Sequence, residues 1–290
     1  MRIRMFMMAL AITAGLGPAY AAGVENAGDQ TPTGQQAAPS APPDDPDLDI
    51  NSLQPEFTIV NLPTTLRMPR NKLAFRLTHR FGRPLGAGTF GNLAADLFGL
   101  DTGAQVGLEL RYGLMRGTQL GIHRTSDRTV ELFGQHDLWR QSAGHPVGLG
   151  INVTVEGMNN FKERYTPSLG LALSREIKGV GSVYAEPMWV GNVNVFESFV
   201  SGDDNTVLVG LGARIRLRPT VYFVGEFAPR LAGYDAGAHH RSIGIEKRAG
   251  GHSFQLNFSN GTGSTIGQLA RGGTGSDDWY IGFNISRKFF

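Results

Sequence analysis

Residues 147–156 have the sequence VGLGINVTVE, in which apolar side chains occupy every second position from Val147 to Val155. Small or polar residues fill the positions between them. In an extended chain, a pattern with a period of two residues puts alternate side chains on opposite faces, so one face is apolar and the other polar. Residues 105–113, QVGLELRYG, follow the same rule. Both stretches therefore predict half-buried β-strands.

The same alternation recurs from residue 72 to the end of the chain. It predicts strands at 72–81, 105–113, 118–124, 129–140, 147–156, 168–177, 182–192, 205–217, 220–228, 241–247, 252–259 and 279–289. A barrel whose apolar faces contact lipid, and whose polar faces line the interior, accommodates all of these segments. We therefore predict an all-β fold, a closed antiparallel transmembrane β-barrel of about 12 strands.

The lengths of the connections support a barrel. After the first strand, long breaks such as 82–104 and 260–278 alternate with short ones such as 114–117, and 125–128 is short where a long one is expected. Outer-membrane barrels have short periplasmic turns and longer external loops, and an even strand number leaves both chain ends in the periplasm. The rival fold, a soluble periplasmic β-protein, gives no reason for this alternation.

The N-terminus has the features of a secretory signal at residues 1–21. Arg2 and Arg4 provide a positive start, an apolar segment follows, and Ala19-Tyr20-Ala21 matches a cleavage site. We predict export through the Sec pathway, a mature N-terminus at Ala22 and residence in the outer membrane.

Two regions follow the signal. Residues 22–56 are rich in Pro and Asp and lack the apolar density that offsets ordering entropy, so they predict a disordered periplasmic arm. Residues 57–290 form the predicted barrel domain. Solvation is the simplest role for the acidic arm, and binding of a periplasmic partner is the alternative.

Within the first external loop, the helical spacing of Phe90, Leu93, Leu97 and Phe98 predicts a short helix at 89–98 that caps or enters the barrel mouth.

The composition excludes several functions. The chain has no cysteine, which rules out thiol catalysis and cysteine-ligated metals. A net charge of +2, without a basic run containing aromatic residues, does not favour nucleic acid binding. The seven histidines show no zinc-site spacing. We predict no cofactor, no metal site and no catalytic residues. The expected partners are outer-membrane lipid and the barrel assembly machinery, which would recognise the C-terminal Phe290.

The chain resembles an uncharacterised family of bacterial outer-membrane β-barrels, a catalogued domain of unknown function. The resemblance depends on LPTT at 62–65, FRLTHRFGR at 75–83, FGLD at 98–101, GLE at 107–109 and YGL at 112–114. It covers most of the mature chain and is weaker after residue 140. It implies an envelope barrel and implies no reaction.

Charged residues at polar positions of the strands predict a lumen charge cluster. Its members are Arg76, Arg80, Glu109, Arg111, Arg214, Arg216 and Glu226. We expect Arg76 and Arg80 to face the lumen as a cationic pair, and Arg214 and Arg216 to lie opposite Glu226. These residues could bind an anionic solute or a lipid head group, or they could form ion pairs that fill a small barrel.

Three functions remain open from the sequence. The first is a narrow channel for small solutes. The second is a lipid-modifying enzyme, for which Ser174, Ser242 and His252 are candidates that no motif connects. The third is a structural or receptor barrel that recruits a periplasmic partner through its arm.

Overall fold

The computed structural model describes residues 48–49, 51–97, 99, 103–195, 203–273, 275 and 278–290. The predicted signal and most of the predicted arm lie outside these ranges. The strands are β1 (Leu73–Phe81), β2 (Ala104–Met115), β3 (Thr118–Thr125), β4 (Val130–Trp139), β5 (Gly148–Gly157), β6 (Glu163–Ile177), β7 (Gly181–Val190), β8 (Thr206–Arg218), β9 (Val221–Ala228), β10 (Arg230–Gly233), β11 (His240–Ala249), β12 (His252–Ser259) and β13 (Tyr280–Lys288). The helices are α1 (Phe90–Ala95), α2 (Met158–Phe161) and α3 (Ile266–Arg271), with a 3-10 helix at Gln141–Ala143. None of the helices in the described ranges is long and apolar enough to cross a membrane.

The strands form one closed antiparallel ring. β1 pairs with both β2 and β13, and β8 pairs with both β7 and β9, so the sheet has no open edge along these strands. β9 and β10 occupy a single wall position and are separated at Pro229, with β10 continuing the pairing along Thr206–Leu208 of β8. The wall therefore has twelve strand positions. The predicted closed barrel of about 12 strands is confirmed.

The outward face of the wall carries an apolar band. Leu110 on β2, Leu169 on β6 and Leu256 on β12 are each 51% exposed, although leucine normally prefers the interior. Aromatic residues stand near both ends of the outward face: Tyr112, Trp139, Phe223, Phe254 and Phe289 at one end, and Tyr165, Trp189 and Phe227 at the other. An apolar band between aromatic girdles is the surface of a barrel in lipid.

The two ends of the barrel differ in their connections. At one end, here called the turn end, strands are joined at 116–117, 178–180, 219–220 and 250–251. Long connections at 82–103, 191–205 and 260–279 lie at the opposite, loop end. The predicted long break before residue 168 is shorter in the structure, because β6 already begins at Glu163. Asn159 and Asn160 adopt left-handed backbone angles in that tight turn, which asparagine tolerates better than most residues.

The helix predicted in the first external loop is present as α1. Thr89 and Asn92 form a capping box at its start, which satisfies backbone N–H groups that the first turn leaves free. No residue of α1 is buried, and Phe90 is 75% exposed. The expectation that α1 caps or enters the mouth is therefore wrong, because its apolar side chains contact little of the barrel.

The residues immediately before the predicted barrel boundary are packed against the barrel interior. Gln54 and Glu56 are buried, and Asn51 Nδ2 donates to Glu176 Oε1 over 2.5 Å. Glu56 accepts a hydrogen bond from Ser286 Oγ at 2.9 Å and forms an ion pair with Lys288 on β13. The ordered unit thus includes residues 51–56, which the sequence assigned to a disordered arm. Their polar side chains are held by polar lumen groups, which local composition does not reveal.

Candidate functional site

A hairpin from the N-terminal side of β1 occupies the lumen. In this inner hairpin, residues 57–64, the Ile59 N–H donates to the Leu62 carbonyl at 2.8 Å and the Thr64 N–H donates to the Phe57 carbonyl at 2.9 Å. Ile59 and Leu62 are at most 1% exposed. The apolar residues and prolines at 57–69 predict a short segment in the lumen or at the rim that leads into the first strand, and the structure places the hairpin in the lumen.

An apolar stripe inside the barrel receives the inner hairpin. It consists of inward-facing residues of three adjacent strands, Tyr184, Met188, Val190, Leu208, Tyr222, Val224 and Ala228, packed with Ile59, Val60 and Leu62. Gly212 on β8 provides the room, since a Cβ there would lie 2.2 Å from Ile59 Cδ1. The lumen is therefore not uniformly polar, and burial of these side chains favours the docked hairpin.

Glu226 binds the tip of the inner hairpin. Its carboxylate accepts hydrogen bonds from the backbone N–H groups of Val60, Asn61 and Leu62, at 3.0–3.1 Å. On the opposite side, His240 Nε2 lies 2.8 Å from Glu226 Oε1. Successive backbone N–H groups that converge on one carboxylate form an anion-binding concavity. Glu226 therefore holds the hairpin by its main chain.

Arg76, Glu109 and Arg111 form one ion-pair group in the lumen. Arg76 Nη2 lies 2.6 Å from Glu109 Oε2, and Arg111 Nη2 lies 2.9 Å from Glu109 Oε1. Arg111 also stacks on Phe57 of the inner hairpin and on Phe133 of β4, with its guanidinium carbon 5.0 and 4.5 Å from the ring centroids. One carboxylate thus bridges two arginines, and the hairpin contacts both, since Arg76 Nη1 donates to Thr58 Oγ1 at 2.9 Å and to the Val60 carbonyl at 3.1 Å.

Arg80 is fully buried and bonded to amides. Its Nη1 donates to Asn284 Oδ1 at 2.8 Å, and its Nη2 donates to Asn61 Oδ1 at 2.9 Å. The amide nitrogen of Asn61 in turn donates to Glu226 Oε1 at 3.2 Å. Asn61 therefore connects the positive charge of Arg80 to the negative charge of Glu226. Arg76 and Arg80 both face the lumen, but they do not act as a joint cationic pair, because each binds its own partners.

Arg214 and Arg216 do not lie opposite Glu226. In the pairing of β8 with β9, Gly212 is opposite Glu226. Arg214 pairs instead with Glu246 of β11, with Nη2 and Oε2 separated by 2.9 Å, and the same nitrogen donates to the Thr58 carbonyl. Arg216 is half-buried and lies two residues nearer the turn end. The prediction that these two arginines lie opposite Glu226 is therefore wrong. Alternation does not fix the register between β8 and β9, and the observed register places the partner of Glu226 one inward position away from Arg214.

The loop end of the lumen is filled by α3. Ile266, Leu269 and Ala270 are buried and belong to the same apolar cluster as the inner hairpin. The sequence pattern predicts an external loop at residues 260–278, whereas the structure has a helix there that lies inside the barrel. Thr265 and Gln268 form a capping box at the start of α3, and this T-x-x-Q pattern ahead of apolar residues is the signal that identifies the helix.

Two wall carboxylates hold α3 in place. The Ile266 N–H donates to Glu131 Oε2 at 2.7 Å, and Arg271 Nη2 lies 2.6 Å from Glu156 Oε1. Both carboxylates are buried. The loop end is thus closed by polar contacts between α3 and β4–β5.

Asp127 provides a third contact with α3 from the short connection at 126–129. Gln268 Nε2 donates to Asp127 Oδ2 at 2.9 Å. Burial of Asp127 raises its pKa, but hydrogen bonds from Thr125 and Thr129 outweigh that effect, so the pKa of this carboxyl lies below its ordinary value.

Two cavities remain on the β4–β7 side of the lumen. The first, of about 50 Å³, has a mixed border of polar residues such as Gln135, Asn152 and Ser168 and apolar residues such as Phe133, Met188 and Ile266. The second, of about 80 Å³, opens toward the turn end beside Gly148 and Ser174. On β5 and β6 a single inward position, Gly150 and Ala172, separates the two linings.

The inner hairpin and the residue after it close the gap between the cavities. Gln135 Nε2 donates to the Thr64 carbonyl at 2.9 Å, and Thr65 Oγ1 lies 2.5 Å from Ser174 Oγ. Opening this gap requires the loss of these two polar contacts on the cavity side.

The serine and histidine candidates do not form a catalytic triad. Ser242 Oγ lies 3.2 Å from His240 Nε2, and Glu226 binds that same nitrogen. A triad uses both ring nitrogens, one toward the serine and one toward the acid. His252 is separate from this group, half-buried, with its Nε2 2.6 Å from Arg287 Nη1. In the described ranges, no cluster of three or more His, Asp or Glu side chains is arranged to hold a metal ion.

Comparison with protein families identifies the barrel. A family model described as a membrane bound beta barrel domain (DUF5777) matches residues 56–289. The chain belongs to this family. The match spans the whole closed wall and the whole inner hairpin. Because closed barrels with an outward apolar band are the β-architecture of outer membranes, this DUF5777 barrel is an outer-membrane protein.

The solved structures that the chain matches include two outer-membrane proteins and a porin, all at low sequence identity. The COG4313 outer membrane channel from Pseudomonas putida F1 is 12% identical, with 77% of this chain and 97% of that chain covered and a TM-score of 0.49. The outer membrane protein Omp33 from Acinetobacter baumannii is 10% identical, with 77% and 100% covered and a TM-score of 0.45. A porin from Rhodopseudomonas blastica is 13% identical, with 64% and 55% covered and a TM-score of 0.34. Among curated protein sequences, none matches significantly.

Proposed function

We propose that this DUF5777 barrel is a narrow outer-membrane channel for small solutes, and that the described conformation is its closed state. The observation that carries the proposal is the asymmetric filling of the lumen. The inner hairpin packs tightly on the β7–β9 side, whereas two cavities with polar side chains in their linings lie in line on the β4–β7 side. The linings contain Gln, Asn and Ser side chains, which suit small hydrated solutes, beside apolar residues such as Met188 and Ile266.

The closing contacts are of a kind that can break without unfolding the wall. Gln135 and Ser174 reach the chain at Thr64 and Thr65 by side-chain hydrogen bonds, each with a net stability contribution of about 1 kcal/mol. The wall itself is held by backbone ladders on every strand. Movement of residues 64–65 away from β4–β6 would join the cavities.

The remaining expectations about location and partners are part of this proposal. Residues 1–21 direct export through the Sec pathway, and the outward apolar band contacts outer-membrane lipid. The assembly machinery reads the chain end, where Phe290 packs near Phe57 and Met68 while Phe289 is 53% exposed. Recruitment of a periplasmic partner by the arm is the alternative function, and deletion of residues 23–50 tests it separately from conduction.

The channel is tested by conductance in planar bilayers. Wild-type protein should show rare, small conductance events, because the gap between the cavities is closed most of the time. Gln135→Ala should increase the open fraction several-fold, since it removes about 1 kcal/mol of closing interaction at the passage itself. The matched control is Gln255→Ala. Gln255 also donates from Nε2 to a hairpin carbonyl, that of Ile59 at 2.7 Å, but it borders only a cavity of about 10 Å³.

Folding of every variant is checked by the shift in gel mobility on heating. If folded wild type and folded Gln135→Ala both fail to conduct, the channel proposal is wrong. If Gln255→Ala opens the barrel as strongly as Gln135→Ala, the passage does not run along β4–β7.

A further inference from the structure

Two positive side chains face outward on either side of β12, near the turn end of the wall. Lys247 on β11 and Arg287 on β13 are both exposed. In the strand pairing, Lys247 lies opposite Phe254 and Arg287 lies opposite His252. Because adjacent strands are about 4.8 Å apart, β11 and β13 are separated by roughly 10 Å with β12 between them. These four residues are here called the cationic patch.

The two cations of the patch keep donors that the protein does not use. The Lys247 ammonium donates to Thr220 Oγ1 at 2.6 Å, and an ammonium has three donors. Arg287 Nη1 lies 2.6 Å from His252 Nε2, and the other nitrogens of this guanidinium have no hydrogen-bond partner among the described residues. Both cations can therefore donate to an acceptor outside the protein.

No acidic side chain neutralises the patch. Within the described chain, the outward positions of β9, β11, β12, β13 and β1 contain no Asp or Glu. Two acids at the same end of the barrel, Glu56 and Glu246, are buried in the lumen and bind Lys288 and Arg214. The positive charge on this outward face is therefore uncompensated by the described side chains.

The connections at the two ends of the barrel differ in charge in the same sense. Each of the four tight turns at the turn end has a cation within it or directly before it: Arg116, Lys178, Arg218 and Arg248. The loop end has exposed acids as well as cations, and the acids are Asp127, Glu163, Asp203, Asp204 and Asp235. The turn end is thus the positive end of the outer surface.

The cationic patch stands where the outward apolar band ends. On its loop-end side, the next outward residues of β11 and β12 are Ile245 and Leu256, which are 44% and 51% exposed and belong to the band. On its turn-end side, Arg287 stacks on Phe289, with the guanidinium carbon 5.6 Å from the ring centroid. Aromatic residues at the border of the band sit at the level of the lipid head groups. The two cations are therefore at the depth of lipid phosphates.

We propose that the cationic patch binds the head group of an anionic phospholipid, of the phosphatidylglycerol class, in the leaflet at the turn end. Arg287 and Lys247 donate to the phosphate oxygens, and the acyl chains lie against Ile245 and Leu256. A zwitterionic head group binds less well, because its own ammonium meets cations and no acid. The inference rests on the lipid contact of the outward band and is independent of conduction, so a barrel without conductance does not affect it.

Native mass spectrometry of the detergent-solubilised protein measures this binding. The protein is titrated in parallel with phosphatidylglycerol and with phosphatidylcholine of the same acyl chains. One cation at a membrane surface improves the affinity for an anionic lipid about fivefold, so two give about thirtyfold. The apparent dissociation constant of wild type should therefore be about thirtyfold lower for phosphatidylglycerol.

Substitutions locate the site. Lys247→Gln and Arg287→Gln should each reduce the preference for phosphatidylglycerol about fivefold. Arg124→Gln is the matched control, because it removes the same charge from an exposed outward position of β3 toward the loop end, and it should leave the preference unchanged. Folding of each variant is checked by the mobility shift on heating. Equal affinity of wild type for the two lipids, or an equal loss in the control and in both patch variants, would overturn the proposal.

Inorganic phosphate distinguishes a lipid site from a site for a free anion. At a concentration equal to that of the lipid, it should not displace phosphatidylglycerol, because the acyl chains add contacts with the apolar band. Displacement of the lipid at that ratio would show that the patch binds phosphate itself, and the assignment to a phospholipid would be wrong.

Discussion

The contact between Glu226 and the inner hairpin gives the sharpest prediction for gating. Four donors of the hairpin converge on this carboxylate, namely the N–H groups of Val60, Asn61 and Leu62 and the side-chain amide of Asn61. At a net contribution of about 1 kcal/mol for each bond, Glu226→Ala weakens docking of the hairpin by about 4 kcal/mol. Since 1.4 kcal/mol corresponds to a factor of ten, the undocked fraction should rise about a thousandfold.

Cysteine labelling measures this fraction directly. The chain has no cysteine, so Val60→Cys introduces a single thiol at a position that is fully buried in the docked state. The rate of its alkylation by a maleimide reports the undocked fraction, and Glu226→Ala in this background should accelerate it by up to about a thousandfold. Glu226→Gln should give an intermediate rate because it keeps an acceptor and loses the charge.

Glu163→Ala serves as the control and should leave the labelling rate unchanged. An unchanged rate in Glu226→Ala, in protein that still shows the mobility shift on heating, would mean that the apolar stripe alone holds the hairpin. The account of Glu226 as its anchor would then be wrong.

Two further predictions concern the wall and the loop end. Leu110→Arg places a charge near the middle of the outward face of β2, and it should reduce the free energy of unfolding in lipid vesicles by about 2–4 kcal/mol. Leu114→Arg, near the turn end, should reduce the free energy of unfolding by only about 0–1 kcal/mol. If urea unfolding shows equal losses for the two substitutions, the outward apolar band does not contact lipid. The pKa of Asp127 is lower in the folded state than its ordinary value. Its stabilising contribution is therefore fully present above the ordinary pKa and is lost as the pH falls through the folded pKa. Cleavage of α3 by an acid-active protease should accelerate over that acidic range in wild type, and Asp127→Asn should reduce this pH dependence.

The wall was predictable because alternation is a local property. Each residue of β5 faces lipid or lumen according to its parity, so VGLGINVTVE identifies both the strand and its outward side chains. The same holds for β8, where Leu211 and Ile215 face outward as the pattern predicts. Closure also follows from sequence, because each strand in the series needs a partner at both edges.

The contacts inside the lumen were not predictable from parity. Parity places Arg214 and Glu226 on the same face, but whether they meet depends on the register between β8 and β9 and on the hairpin between them. Asn61 shows the same limit. It connects Arg80 on β1 to Glu226 on β9, two strands that are far apart in sequence. No local pattern distinguishes Asn61 from an ordinary turn asparagine. By contrast, α3 has a recognisable capping box at Thr265.

The anchoring of Glu56 to β13 has a consequence for the order of assembly. β1 and β13, the first and last strands to be synthesised, must meet to complete the wall, and Glu56 binds Ser286 and Lys288 just across that seam. The segment that fills the interior is thus tied to the strand that arrives last. We therefore expect closure of the seam and filling of the interior to be coupled, because loss of the Glu56 contacts with β13 would weaken both.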